Sequence, residues 1–153
     1  MMKLYIEDLK REIDILNWYK GEAAKRADLD AALVQSGNDQ QDAILYHLRS
    51  AVTDILVDAN SNRVKFTCVY DDDALTFSLS PLRVGREYML DILKEAIRQY
   101  LVYEVRRLWM MNMRPEWADA SLRGRLQQNI RDAMSASTSM GAKVRRRATT
   151  MGI

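Results

Sequence analysis

The stretch RVKFTCVYDDDALTFSLS, residues 63–80, decides the fold. Val64, Phe66, Cys68 and Tyr70 alternate with Lys65, Thr67 and Val69. After four intervening residues, Leu75, Phe77 and Leu79 alternate with Thr76, Ser78 and Ser80. A period of two sends every second side chain to the same face of an extended chain. Two such runs around Asp71-Asp72-Asp73-Ala74 predict a β-hairpin with one apolar face. A lone hairpin is marginal in water, so helices or partner strands must support it.

On either side of the hairpin the period is helical. Residues 40–59 place Ile44, Leu48, Val52, Ile55 and Leu56 on one face, and Ala59-Asn60-Ser61-Asn62 ends that helix. Residues 86–111 carry a broad apolar arc that includes Met89, Leu93, Ile97, Tyr100, Leu101, Val105 and Trp109, the pattern of a central helix. Residues 3–26 read as a first helix, with Leu9, Ile13 and Leu16 in its stripe, Tyr5 and Tyr19 extending it, and Gly21 weakening its later half. Ser36-Gly37-Asn38-Asp39 separates it from the second helix. Asn112 to Pro115 breaks the third, with Pro115 placed for the first turn of a final helix over 116–136. That helix has a thin seam: Trp117, then Leu122, Leu126, Ile130 and Met134, the last four strictly four apart on a polar surface. Such a seam fits one limited contact, against its own body or a neighbouring subunit.

The expected architecture is therefore mainly α: a small bundle of about four helices with an inserted β-hairpin, folded over 1–134 and followed by an extended arm over 135–153. The arm, SASTSMGAKVRRRATTMGI, has four cations, no acid and few apolar side chains. Alone, it cannot bury enough surface to offset the entropy of ordering, so it is expected to need a surface to land on. Lys143, Arg145, Arg146 and Arg147 are its candidate partner-binding residues. Residues 114–153 hold eight lysines or arginines against three acids, a net of +5, and residues 1–113 carry 15 against 18, a net of −3. An acidic body with a basic end suits stacking of like subunits or contact with an acidic partner such as nucleic acid.

The inventory of chemistry is thin. At 153 residues, 48% hydrophobic and 29% charged, the chain is an ordinary single domain. Its one cysteine excludes an internal disulfide and a cysteine-rich metal site. Cys68 lies within the apolar alternation, where a small buried thiol is expected. His47 is the only histidine and sits beside Leu48 at the edge of the second helix's stripe, which assigns it a packing or surface role. Asp71, Asp72 and Asp73 form an acidic hairpin tip without the spaced ligands of a calcium loop; such acids ordinarily just face water, and the functional alternative is a negative tip that meets a neighbour's cations. Trp109-Met110-Met111-Asn112-Met113 reads as core filling at a helix end. The six glycines form no phosphate-binding loop. No secretory leader and no run of about 20 apolar residues is present, which places synthesis in the cytoplasm. No cofactor, no metal and no enzymatic activity are expected.

A helical domain, an inserted hairpin and an extended C-terminal arm together resemble the head-to-tail adaptor (connector) proteins of tailed bacteriophages. The likeness is architectural, covers most of the chain and rests on no short motif. It implies a structural protein of the virion neck, a homo-oligomeric ring of twelve copies beneath the portal whose arms dock on the portal, whose other face meets further neck or tail proteins, and whose interior passes the genomic DNA. By that resemblance Lys143 to Arg147 engage the portal or an adjacent copy. Trp117, Leu122, Leu126, Ile130 and Met134 become a subunit interface, and the cations of helix 116–136 lie between subunits or near the DNA. The alternative is a cytoplasmic nucleic-acid-binding protein that uses the basic arm.

Overall fold

The structure, a computed structural model, describes residues 1–26, 41–60, 64–82, 85 and 87–138. It is mainly helical, with a small antiparallel sheet. In chain order the elements are β1 (Met2–Tyr5), α1 (Ile6–Arg26), α2 (Gln41–Ala59), β2 (Lys65–Tyr70), β3 (Ala74–Ser80), α3 (Met89–Met113), a single 3-10 turn (Pro115–Trp117) and α4 (Arg123–Ser137). The arm residues Lys143, Arg145, Arg146 and Arg147 lie outside the described residues, as does the Ser36–Asp39 breaker.

The expected hairpin is present, and its missing support is a third strand. Sheet order is β1-β3-β2, both pairs antiparallel. β3 is central because Leu75, Phe77 and Leu79 are all buried along it, whereas β2 buries fully only Phe66. Cys68 pairs with Phe77 and Phe66 with Leu79, so the Phe66 and Phe77 rings meet on the diagonal, stacked at 5.4 Å between centroids. β1 corrects the sequence reading, which ran the first helix from residue 3. Met2 and Leu4 are buried while Lys3 and Tyr5 are exposed, an alternation of only four residues. The open edge of β3 draws these residues into register, Met2 with Phe77 and Leu4 with Leu75. The Ile6 N–H then donates to the Asp73 carbonyl at 2.9 Å, where strand passes directly into helix.

Helix α1 buries Leu9, Ile13, Asn17 and Gly21, spaced four apart, and leaves Tyr19 60% exposed, so the stripe runs beside the expected tyrosine rather than through it. α3 is the central helix. Its Leu93, Ile97, Tyr100, Leu101, Val105 and Trp109 are buried, and α1, α2, α4 and β1 all pack on it. Fully burying each such side chain stabilises the fold by about 1.5–3 kcal/mol. Asn60 closes the joint between α2 and the sheet: its Nδ2 donates to the Leu56 and Phe66 carbonyls at 2.7 and 2.8 Å, and its Oδ1 accepts from the Phe66 N–H at 2.9 Å.

The last helix starts later than its sequence predicts. Pro115 opens only the short turn to Trp117, and residues 118–122 run as a connection before α4 begins at Arg123. Tyr103 holds this connection by donating to the Asp119 carbonyl and accepting the Leu122 N–H at 3.2 Å. At the other end α4 continues three residues past Met134, the expected end of the folded part, with Ser137 and Thr138 buried.

Candidate assembly surfaces

The expected subunit seam divides into an inner and an outer part. Ile130 and Met134 are 3% and 6% exposed in the chain's own core, which removes them from any interface with a neighbour. Leu126 and Trp117 are half-buried against that core, and Leu122 alone is exposed. The physical reason is the antiparallel packing of α4 on α3, which turns the lower seam inward. Trp117 is flanked by cations instead, with the Arg114 guanidinium 4.9 Å and the Lys20 ammonium 5.6 Å from its ring centroid.

The cations expected near a neighbour or DNA are partly engaged within the fold. Arg131 holds Asp58 of α2 with two hydrogen bonds of 2.9 and 2.8 Å, and Asp58 in turn raises its pKa. Arg123 reaches Glu104 of α3 at 3.3 Å and Asp54 of α2 at 3.5 Å. Glu104 is fully buried on the apolar side of α3 and also accepts from Arg107 at 3.0 Å. Sequence reading passed over this carboxylate, although an acid at i+4 from Tyr100 and i−3 from Arg107 was its signature. Above it the Tyr100 hydroxyl is pushed to higher pKa by burial first and by the Glu104 charge second. These pairs tie α4 to α2 and α3.

The hairpin tip is a turn with an internal purpose. Asp71 Oδ1 accepts the Asp73 and Ala74 N–H groups at 2.9 and 2.8 Å, which lowers its pKa. All three aspartates are exposed and available to a partner cation. Cys68 is half-buried, and burial pushes its thiol up to about 11, so it is no nucleophile near neutral pH. His47 is 7% exposed on α2, with Nε2 3.2 Å from Asn112 Nδ2 at the end of α3. Among the described residues no group of three or more His, Cys, Asp or Glu gathers as a metal site, and no helix is long and apolar enough to cross a membrane.

Two further surfaces carry exposed apolar side chains. On α1, Ile15, Trp18 and Tyr19 are about half exposed, and the two rings meet edge to face at 5.4 Å. Between the first half of α3 and the second half of α4 lies an open groove of about 630 Å³. Met89, Ile92, Ala96, Ala133 and Ala136 line it with apolar surface, and Asp91, Glu95 and Asp132 add three carboxylates. The groove ends at Ala136, two residues before the last described residue of α4's exit. No family model, no curated protein and no solved structure matches this chain.

Proposed function

We propose that this chain is a structural, non-enzymatic assembly subunit: a head–tail connector (adaptor) ring protein of a phage neck that docks on the portal and joins it to the tail. The observation that carries the reading is the groove between α3 and α4. An apolar floor edged by Asp91 and Asp132, with Glu95 already held by Arg98, is complementary to a basic segment, and Lys143 to Arg147 supply one in every copy. A neighbouring copy's arm in this groove, or the arm on the portal, gives contacts that are individually weak and strong when repeated around a closed ring. The exposed α1 face supplies the apolar centre that a subunit contact requires.

The test is the mass of the full chain and of a chain ending at Thr138, measured by light scattering alone and with the portal protein. A ring or a portal complex formed by the full chain and lost on truncation supports the reading. A monomer in both forms that ignores portal overturns it. Tight, salt-sensitive binding of the isolated protein to duplex DNA, lost on replacing Arg145 to Arg147 by Gln, would install the nucleic-acid-binding alternative in its place.

A further inference from the structure

Arg106 differs from the ion-paired arginines of α3, the 3-10 turn and α4. Arg98, Arg107, Arg114, Arg123 and Arg131 each pair with a carboxylate. Arg106 has no carboxylate partner among the described residues. Its Nε donates to Asn17 Oδ1 at 3.2 Å and its Nη2 approaches the Leu16 carbonyl at 3.5 Å, both neutral acceptors on α1. Burial lowers its pKa, whereas the acid partners of Arg107 and Arg131 raise theirs. A cation drawn from water without a counter-charge is destabilising until an anion joins it.

Beside Arg106 there is room for one. A cleft of about 250 Å³ opens between α1, α3 and the Trp117 turn, and Arg106, Lys20, Tyr103 and Trp117 line it. Arg107 on its wall is already engaged by Glu104, and Asp119 adds a carboxylate that accepts the Ser121 N–H at 2.9 Å and is further stabilised by the Lys20 charge. That leaves Arg106 and Lys20 as the cations facing the space. Its volume lies below the ~300–1,000 Å³ of sites that enclose a whole small molecule, so it fits a terminal group rather than a cofactor.

We propose that this cleft binds a phosphate group between Arg106 and Lys20, beside the Trp117 ring. A tetrahedral dianion presents oxygens in several directions and can meet two cations from different helices, which a planar monoanionic carboxylate does less well. The site is independent of the ring reading, since neither Arg106 nor Lys20 lines the α3–α4 groove.

The test is the thermal midpoint in 50 mM inorganic phosphate against sodium chloride of equal ionic strength. A rise of roughly 2–5 °C is expected for millimolar binding. Lys20→Gln, a change at an exposed position, should weaken the apparent affinity about tenfold, the loss of one charge-assisted contact. Arg106→Gln keeps a donor for Asn17 and Leu16, should fold as judged by circular dichroism, and should abolish the phosphate-specific rise. No rise in the parent chain, or an equal rise in both variants, overturns the proposal. A 20-base-pair duplex then separates the sources. Displacement of bound phosphate by the duplex, with duplex affinity reduced in both variants, assigns the group to a nucleic-acid backbone. Phosphate binding undisturbed by the duplex assigns it to a small phosphate or phosphate ester, and either result upholds the site.

Discussion

The two halves of α3 share one core stripe and differ in everything beside it. From Tyr100 onward the helix is tied by polar contacts: Glu104 holds Arg107 and Arg123, Tyr103 ties down residues 119–122, and Arg106 reaches the carbonyl of Leu16 on α1. From Met89 to Gln99 the same helix buries Leu93 and Ile97 inward and presents Ile92, 52% exposed, to the groove. One half is bound to its neighbours mainly by polar contacts; the other, apart from the Arg98–Glu12 pair to α1, borders the groove. On the proposed reading, stability and assembly fall to different stretches of a single helix.

The largest effect should come from the closed half. Trp109→Ala removes a side chain 1% exposed and is expected to cost about 3–5 kcal/mol in urea denaturation, mostly through the cavity it leaves. Ile92→Ser in the open half should change stability by no more than about 0.5 kcal/mol, yet weaken self-association or portal binding. Comparable losses of stability from both would erase the contrast. Next in size is Glu104→Ala. It leaves Arg107 without its carboxylate and Arg123 with only Asp54, around a void, and should cost about 3 kcal/mol, toward the lower end for a buried pair because Arg123 is a third exposed and keeps a second acid. A double change of Glu104 and Arg107 to apolar residues should recover part of that loss, and a variant no better than the single change would show that packing rather than charge is at stake.

These features were unevenly legible in the sequence. The hairpin and three of the helices follow from local period, because Phe66, Leu75, Phe77 and Leu79, or Ile44, Leu48 and Val52, each repeat often enough to declare a face. β1 did not, since Met2 and Leu4 give one repeat and the strand exists through its pairing with β3 rather than through propensity. The break at residues 118–122 was hidden for a related reason. The four-residue spacing of Leu122 to Met134 is helical, but the first member belongs to the connection held by Tyr103 from another element. Long-range pairs such as Arg106 with Asn17 or Arg131 with Asp58 have no local signature at all. Asp91 and Glu95 stand one helical turn apart on α3, but only the packing of α4 on α3 brings Asp132 beside them.

A smaller effect tests the joint between sheet and helices. Asn60→Ala removes three hydrogen bonds, two to Phe66 and one to the Leu56 carbonyl at the end of α2, and should cost about 1–2 kcal/mol in the same urea assay, since two are only part-buried, the third is exposed, and water can replace a share of them. If the closed interior of the molecule extends to this joint, amide exchange at Phe66 should speed up along with global unfolding in the variant. Exchange that quickens at Phe66 alone would place the joint among the locally opening parts instead.

The smallest effect is set by pH and belongs again to the closed end of α3. His47 packs 7% exposed against Asn112, and burial lowers its pKa from the ordinary 6.5. The unfolded chain therefore takes up a proton at a higher pH than the folded one. Between the two values the unfolded state holds more protons, so stability is fully present above about pH 6.5 and is lost as pH falls through the folded value. No other side chain of the sequence ordinarily titrates between pH 5 and 7, because His47 is the sole histidine, and carboxylates with lowered pKa such as Asp71 and Glu95 act only at more acid pH. The urea midpoint of the parent chain should then drop modestly from pH 7 to pH 5.5, while His47→Gln, which retains an acceptor for Asn112, should hold its midpoint. An equal drop in both would assign the proton to another group and leave the α2–α3 joint electrically silent.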